Sequence, residues 1–540
     1  MRKGFGWLKQ AFIDDWQGTR RLSYGLIVLC LTSLAVVLFY LNHPQPDVNN
    51  DTVEYLAVTH KILTTGNPID DLRTPGYPSF VALVYLLAGQ GNLTAVGIAQ
   101  GILFILATLE IYTLTLLVLR RSWVALCVGV LMGTSTYLLG FVKPIIVEGL
   151  TLWLTVSLAL VVVLCIRTMK PAYFWLSAAI LLVLFMTRPE WVYLPVPLFG
   201  YLLLLAHRRG LLRKMMPQSL AAVALLYLAL GLFVVANATE NGYVGITSVQ
   251  NLNLVGKILE YRMQAEAPAQ YAAIVQVADP FVQQGGWDPN QLAPLYPSLA
   301  NPHWQLGGAY AQSIILHHPV QFILDTIPLL FTSSRGYSSA SPIQAQGAFA
   351  GPLAALDAIS ADVYRSYELF LLFVVFWAAL LCWRRTTHLP VVEMMGAVVL
   401  LAFYELLATS VGGYVQFWRL HIPFDPLMTV IIWGSVLASV PLWKPALDRL
   451  AVPWGRLWWA WVAVLVAAAA GGLALAVYKR GVTGTLALAG KALADHPLAA
   501  ALALLLIGAF TVYAYRRKAS GSLAGALEEE KETAKAISLH

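Results

Sequence analysis

The sequence predicts an all-α polytopic membrane protein of about twelve transmembrane helices, and three observations carry that expectation. Of its 540 residues, 59% are hydrophobic and only 12% charged, about half the charge that a soluble chain of this size carries. The apolar residues gather in runs of about 18 to 24, long enough to cross roughly 30 Å of hydrocarbon at about 1.5 Å per helical residue. The basic residues are also sorted by loop. With both termini in the cytoplasm, short inner segments such as 120–121, 167–170, 208–214, 384–385 and 516–518 help to collect about 23 of the 35 lysines and arginines.

The runs place spans at 22–41, 95–119, 123–142, 148–166, 172–187, 191–206, 218–236, 367–383, 391–411, 422–441, 457–478 and 498–515. Residues 1–21 are then a cytoplasmic N-terminus, 22–441 a transmembrane module, 442–515 C-terminal transmembrane helices and 516–540 a cytoplasmic tail. The tail carries Glu528, Glu529, Glu530, Lys531 and Glu532, which suits a solvated segment. The first run is too long for the apolar part of a signal peptide and lacks a small-residue cleavage site, so it is expected to stay as an anchor.

Two outer segments, 42–94 and 237–366, break the rhythm of short loops. Both are rich in Trp, Tyr, Leu and Pro rather than in charge, so they are expected to fold against the membrane face. Each holds an apolar stretch too short to cross. Pro75–Gly89 covers only about 22 Å as a helix and reads as interfacial. Val320–Thr332, interrupted by Asp325 and Pro328, reads as a second interfacial or re-entrant helix.

The net charge of +7 is mostly a topological signal, and basic residues scattered over short loops make nucleic acid a poor partner. Cys30, Cys127, Cys165 and Cys382 lie within or at the ends of spans, which suggests neither a disulfide framework nor a thiolate metal site.

The first outer loop is the most informative. Asp51-Thr-Val-Glu54-Tyr55 opens a short helix, drawn from Glu54 to Leu63 and ending near Gly66. Arg73 then precedes a Pro75-Gly-Tyr77-Pro78 turn, where proline sets φ and glycine permits close approach. An acid and a base are thereby pinned at the membrane surface. Structural roles compete: Asp51 as a helix cap and Arg73 as an anchor to lipid headgroups. Further on, Glu148 opens the fourth span just past Lys143-Pro144, where the helix dipole favours an acid in any case. Arg188-Pro189-Glu190 joins spans five and six as a sugar contact or a local ion pair. Arg419 and His421 precede Pro423, and Asp425 is a local candidate partner for Arg419. An arginine at this level is costly unless it meets an anion, and a lipid-linked phosphate is one. His317-His318-Pro319 precedes the second short apolar stretch; adjacent histidines chelate poorly on one helix face, so zinc is not expected. Arg335 and Lys257 are further cations of the long loop.

The Asp51-x-x-x-Tyr55 pattern after the first span, the Arg73-x-Pro75-x-x-Pro78 turn, an interfacial helix and the later His318-Pro319 before another one together resemble the C-type glycosyltransferase superfamily. That group includes protein O-mannosyltransferases, aminoarabinose transferases of lipid A and arabinosyltransferases. The resemblance covers residues 20–430 in order of features. It implies that the 22–441 module transfers a sugar, with inversion, from a polyprenyl-phosphate donor to a hydroxyl of a glycan, lipid or protein acceptor. It places a multi-pass enzyme in the plasma membrane with its active site facing outside. Asp51 would be the general base, since an acceptor hydroxyl must lose its proton as it attacks the anomeric carbon. Arg73, Arg419 and Arg335 would bind the donor phosphate. Tyr55, Glu148, Arg188, Glu190, His317, His318 and His421 would contact sugar or acceptor. The chain departs from the Asp-Glu pair of many members: Thr52 follows Asp51, and the next acid is Glu54. No cofactor is expected, since arginines can neutralise the phosphate, although the residues leave a divalent cation open. The competing class is a secondary transporter or a flippase for a lipid-linked saccharide. Against it, the candidate residues cluster at one outer face rather than in mid-membrane.

Overall fold

The computed structural model describes residues 19–42, 45–332, 367–383, 390–414 and 417–439, and among them the regular structure is helical, with no strand. The chain divides into two compact units: Met1–Tyr367 with Pro390–Ala438, and Glu368–Leu389 with Ser439–His540. The described part of the second is essentially residues 368–383 of the apolar helix Tyr367–Trp383.

In the first unit, α1 (Thr19–Asn42) leads through the first loop helices α2 (Asn50–Thr65) and α3 (Gly76–Ala88) into α4 (Leu93–Leu119). There follow α5 (Ser122–Gly133), α6 (Thr136–Val142), α7 (Glu148–Thr168), α8 (Pro171–Thr187), a 3₁₀ turn (Pro189–Tyr193), α9 (Pro195–Arg208) and α10 (Leu212–Asn241). The second loop contributes α11 (Val249–Glu260), α12 (Ala272–Gln283), α13 (Gln305–His317) and α14 (Pro319–Thr332). After α15 (Tyr367–Trp383), α16 (Pro390–Gly412) and the short α17 (Phe417–Leu420) precede a final described span, Ile422–Ser439.

Among the described residues, seven helices are long and apolar enough to cross a membrane, or up to nine if each of two bent pairs is one span. The expected spans at 457–478 and 498–515, the tail and Arg335 lie outside the described residues. The other expected spans coincide with helices, although α8 and α15, at 17 residues each, fall short of a full crossing.

The span drawn at 123–142 is broken in two: α5 and α6 meet at 52°. Gly133 ends the first half where α1 presses closest, against the Thr32 side chain. Ser135 then restarts the helix as an N-cap, its hydroxyl accepting the Leu138 N–H at 3.2 Å. A second break separates α13 from α14, bent by 98°. Pro319 cannot continue the preceding helix, and His318 before it leaves the helical region at φ −124°, ψ 50°.

The long second loop is a compact helical module. Val255, Ile258 and Leu259 of α11 pack with Ile274 and Ala278 of α12 and with Tyr310 and Ile314 of α13. The Tyr310 hydroxyl, buried in that core, donates to the Gln264 carbonyl at 2.8 Å, as a buried polar group requires.

Candidate active site

The site is built on α2. Its N-cap is Asn49, not Asp51: the Asn49 side chain accepts the Thr52 N–H at 3.0 Å, and the Thr52 hydroxyl accepts the Asn49 N–H at 3.0 Å. This reciprocal box satisfies the helix start, so the carboxylate of Asp51 is left to face elsewhere. The helix also runs beyond the drawn Glu54–Leu63 and stops at Gly66, whose φ of 72° favours glycine. Asp51, Glu54 and Tyr55 stand three and four residues apart and therefore share one face.

Arg73 meets that face. Asp70 accepts the backbone N–H groups of Leu72 at 2.9 Å and Arg73 at 3.0 Å, which fixes the turn. The next residues press onto the end of α8: the Thr74 hydroxyl donates to the Thr187 carbonyl at 3.1 Å, and Gly76 lies so close that a Cβ there would overlap the Met186 carbonyl. Arg73 donates from Nη2 to Asp51 at 2.6 Å and from Nε to Glu54 at 2.7 Å, with its guanidinium carbon 4.8 Å from the centre of the Tyr55 ring.

Arg419 arrives from α17. Its Nη2 lies 2.6 Å from the second Asp51 oxygen, and its Nε lies 2.7 Å from Glu148 Oε1. The latter contact is close but out of line for a hydrogen bond. Asp51 is thus held between two guanidiniums, and Arg419 bridges two carboxylates on different helices. Side-chain exposure is 23% at Asp51, 16% at Arg73, 15% at Arg419 and 0% at Glu148, so the charges interact with little solvent between them. Burial alone would raise the Asp51 carboxyl; Arg419 and Arg73 outweigh it and hold the group below the usual carboxylate range. Burial works against the Arg419 charge, and Glu148 and Asp51 more than restore it. Burial is the main cause pushing the Tyr55 phenol up to about 12.

Behind this cluster Gln100 of α4 ties three walls together. It accepts the Tyr77 hydroxyl at 2.7 Å and donates to the Pro144 carbonyl at 2.8 Å and to the Val142 carbonyl. Lys143 donates to the Gln45 carbonyl at 2.7 Å and pairs with Asp47 at 3.0 Å, tethering the strand of chain that enters α2. Neither Gln100 nor the Lys143–Asp47 pair was singled out from sequence; a glutamine inside an apolar run was the available signal.

Arg188 forms the local pair with Glu190, at 2.5 Å, and also reaches the Leu420 carbonyl at 3.1 Å, holding the end of α17 beside Arg419. Fully buried Glu405 of α16 faces Arg188 from 4.0 Å. One further expectation is corrected. Asp425 pairs with His421, at 3.1 Å, rather than with Arg419; one helical turn separates Asp425 from His421, whereas Arg419 is drawn off by Asp51 and Glu148. Glu54 stands within the cluster, against Arg73. His317 and His318 do not join it: His317 contacts the Ser313 carbonyl of its own helix at 2.7 Å, and His318 faces Glu266 at 3.8 Å. Two acids of the described spans have side-chain partners, Glu110 in Ser157 at 2.7 Å and Glu393 in Arg209.

No family model matches the sequence, and no curated protein matches it. Solved structures similar to the chain include the archaeal oligosaccharyltransferase AglB from Archaeoglobus fulgidus in complex with an inhibitory peptide and a dolichol-phosphate. That match has 14% identity over 87% of this chain and 56% of that one, with a TM-score of 0.43. The apo form of the Archaeoglobus fulgidus oligosaccharyltransferase matches at 13% identity, 87% and 56% coverage and a TM-score of 0.45. ArnT from Cupriavidus metallidurans in the apo state matches at 14% identity, 80% and 81% coverage and a TM-score of 0.30. The chain spans 56% of the length of the first two structures.

Proposed function

We propose that this chain is an integral-membrane glycosyltransferase that moves a sugar from a polyprenyl-phosphate donor to an acceptor hydroxyl at the outer membrane face, with inversion. The observation that carries the reading is the Asp51 carboxylate held at 2.6 Å by each of two arginines from distant parts of the chain. A base and two phosphate-binding cations in one small cluster are what displacement at a glycosyl phosphate needs.

A guanidinium carries about five N–H groups. Among the described residues, the partners of Arg419 occupy only its Nε and Nη2, which leaves donors for a phosphate oxygen. With Arg419 and Arg73 both on its oxygens Asp51 is a weak base, because they stabilise its ionised form. An arriving phosphate draws those guanidiniums toward itself and adds negative charge nearby, and both effects raise the basicity of Asp51. The base is therefore activated by the donor. Asp51 takes the acceptor proton as the hydroxyl oxygen bonds to the anomeric carbon. The carbon–oxygen bond to phosphate breaks, and polyprenyl phosphate leaves with the electron pair against Arg73 and Arg419. Glu148 and Tyr55 line the same cluster as candidate contacts to sugar or acceptor. The sorting of basic residues into the inner loops supports an outward-facing site.

The test is Asp51→Asn in the purified full chain, assayed with a panel of undecaprenyl-phosphate sugars. Transfer should fall by about 10³-fold or more, as when a required base is lost, while undecaprenyl phosphate still binds. Normal turnover by this variant would sink the assignment.

A further inference from the structure

The two arginines assigned above to the donor phosphate are both held by one helix of the second loop. At the start of α11, Thr247 and Ser248 grip the turn that carries Arg73. The Thr247 hydroxyl donates to the Leu72 carbonyl at 2.6 Å, and the Ser248 N–H donates to the Asp71 carbonyl at 2.7 Å. His303 closes the same joint, its Nδ1 lying 2.8 Å from the Asp71 carboxylate. Two turns along α11, Gly256 and Lys257 meet the segment that carries Arg419. A Cβ at Gly256 would stand 2.5 Å from Cγ of Tyr414, and the buried Lys257 Nζ lies 4.1 Å from the centre of the Phe417 ring, two residues before Arg419.

We propose that α11 is a strut that sets the separation of Arg73 and Arg419, with His303 and Gly256 as positioning residues for the donor phosphate. Neither residue touches the phosphate; each acts through one arginine. From Ser248 to Lys257 the helix spans roughly 13 Å of rigid backbone. Its two grips lie on segments that also meet at Asp51, which both arginines contact. Two cations that must fit one phosphate group tolerate little misplacement, so a residue that displaces either weakens binding from a distance. Through the same strut, the second-loop module has a mechanical route to the phosphate ligands. This inference rests on the reading of Arg73 and Arg419 as those ligands.

The experiment measures binding of undecaprenyl phosphate to the full chain in detergent, in double-mutant cycles. Gly256→Ala adds a methyl group that pushes on Tyr414 while favouring the helix. It should weaken binding by roughly five- to tenfold, both alone and on an Arg73→Ala background, and have almost no effect on Arg419→Ala. His303→Asn keeps a residue tolerant of the φ of 53° found there, and its shorter side chain withdraws from Asp71. It should show the mirror pattern, an effect that vanishes on Arg73→Ala and persists on Arg419→Ala. His303 is partly exposed, so this variant gives a second arm should the first fail to fold. No loss from either variant, or equal losses on both backgrounds, overturns the strut. Unchanged binding by both Arg73→Ala and Arg419→Ala overturns the phosphate reading instead.

Discussion

Asp51 and Arg419 lie 2.6 Å apart although one follows the first span and the other precedes the last described one. The pair closes a chain of charges, Glu54–Arg73–Asp51–Arg419–Glu148, in which three carboxylates share two guanidiniums. Its behaviour leads to four expectations beyond those stated with the proposals.

Arg419→Lys should not be conservative. The guanidinium serves Asp51 through Nη2 and Glu148 through Nε, a two-sided reach that a single ammonium lacks. Lysine would leave either buried Glu148 without its partner or Asp51 with Arg73 alone. The kcat/KM for a polyprenyl-phosphate sugar should fall by about 10- to 100-fold. A lysine variant with unchanged kcat/KM would show that one point charge suffices.

The pH dependence of stability follows from the depressed Asp51 carboxyl. A group whose folded pKa is lowered contributes stability that is complete above its unfolded value, about 3.9, and is lost as the pH falls through the folded value. The Tm of the donor-free protein relative to Asp51→Asn should therefore be flat from about pH 5 upward and decline below about pH 4. A difference that already declines near neutrality contradicts the two-arginine clamp.

Gly76→Ala tests the seat of Arg73. The added methyl group would meet the Met186 backbone carbonyl and stand 2.5 Å from the Thr187 hydroxyl; a backbone carbonyl at a helix end yields little. A loss of about 1 to 3 kcal/mol is expected, readable as a lower Tm in detergent. A weaker affinity for undecaprenyl phosphate should accompany it, because Arg73 lies three residues away.

Chelation should leave transfer intact. Two guanidiniums at the Asp51 cluster can neutralise a leaving phosphate without a divalent ion. Transfer activity in excess EDTA is expected to match that of the untreated protein. Loss on chelation with recovery on adding Mg²⁺ or Mn²⁺ would assign the phosphate charge to a metal.

What was legible in the sequence is what depends on local order along the chain. Apolar runs longer than a bilayer demand helices whose backbone bonds are satisfied internally, so the all-α class and the positions of most spans could be read directly. The Pro-Gly-Tyr-Pro turn after Arg73 and the stop at Gly66 were likewise local. Partner choice was not. Asp51 and Asn49 are both ordinary helix caps, and only the backbone at Asn49, extended at φ −128°, ψ −175°, left Asp51 free. Asp425 was the nearest acid ahead of Arg419 in sequence, yet it pairs with His421, because α17 turns its guanidinium toward α2 and α7. His317 and His318 looked equivalent to the other candidates on paper, and the bend at Pro319 leaves them within the second-loop module. Composition and periodicity set the solvent and the elements. The convergence of Asp51, Arg73, Arg419 and Glu148 is a property of how the helices pack, since ion pairs between distant segments leave no period or spacing in the chain.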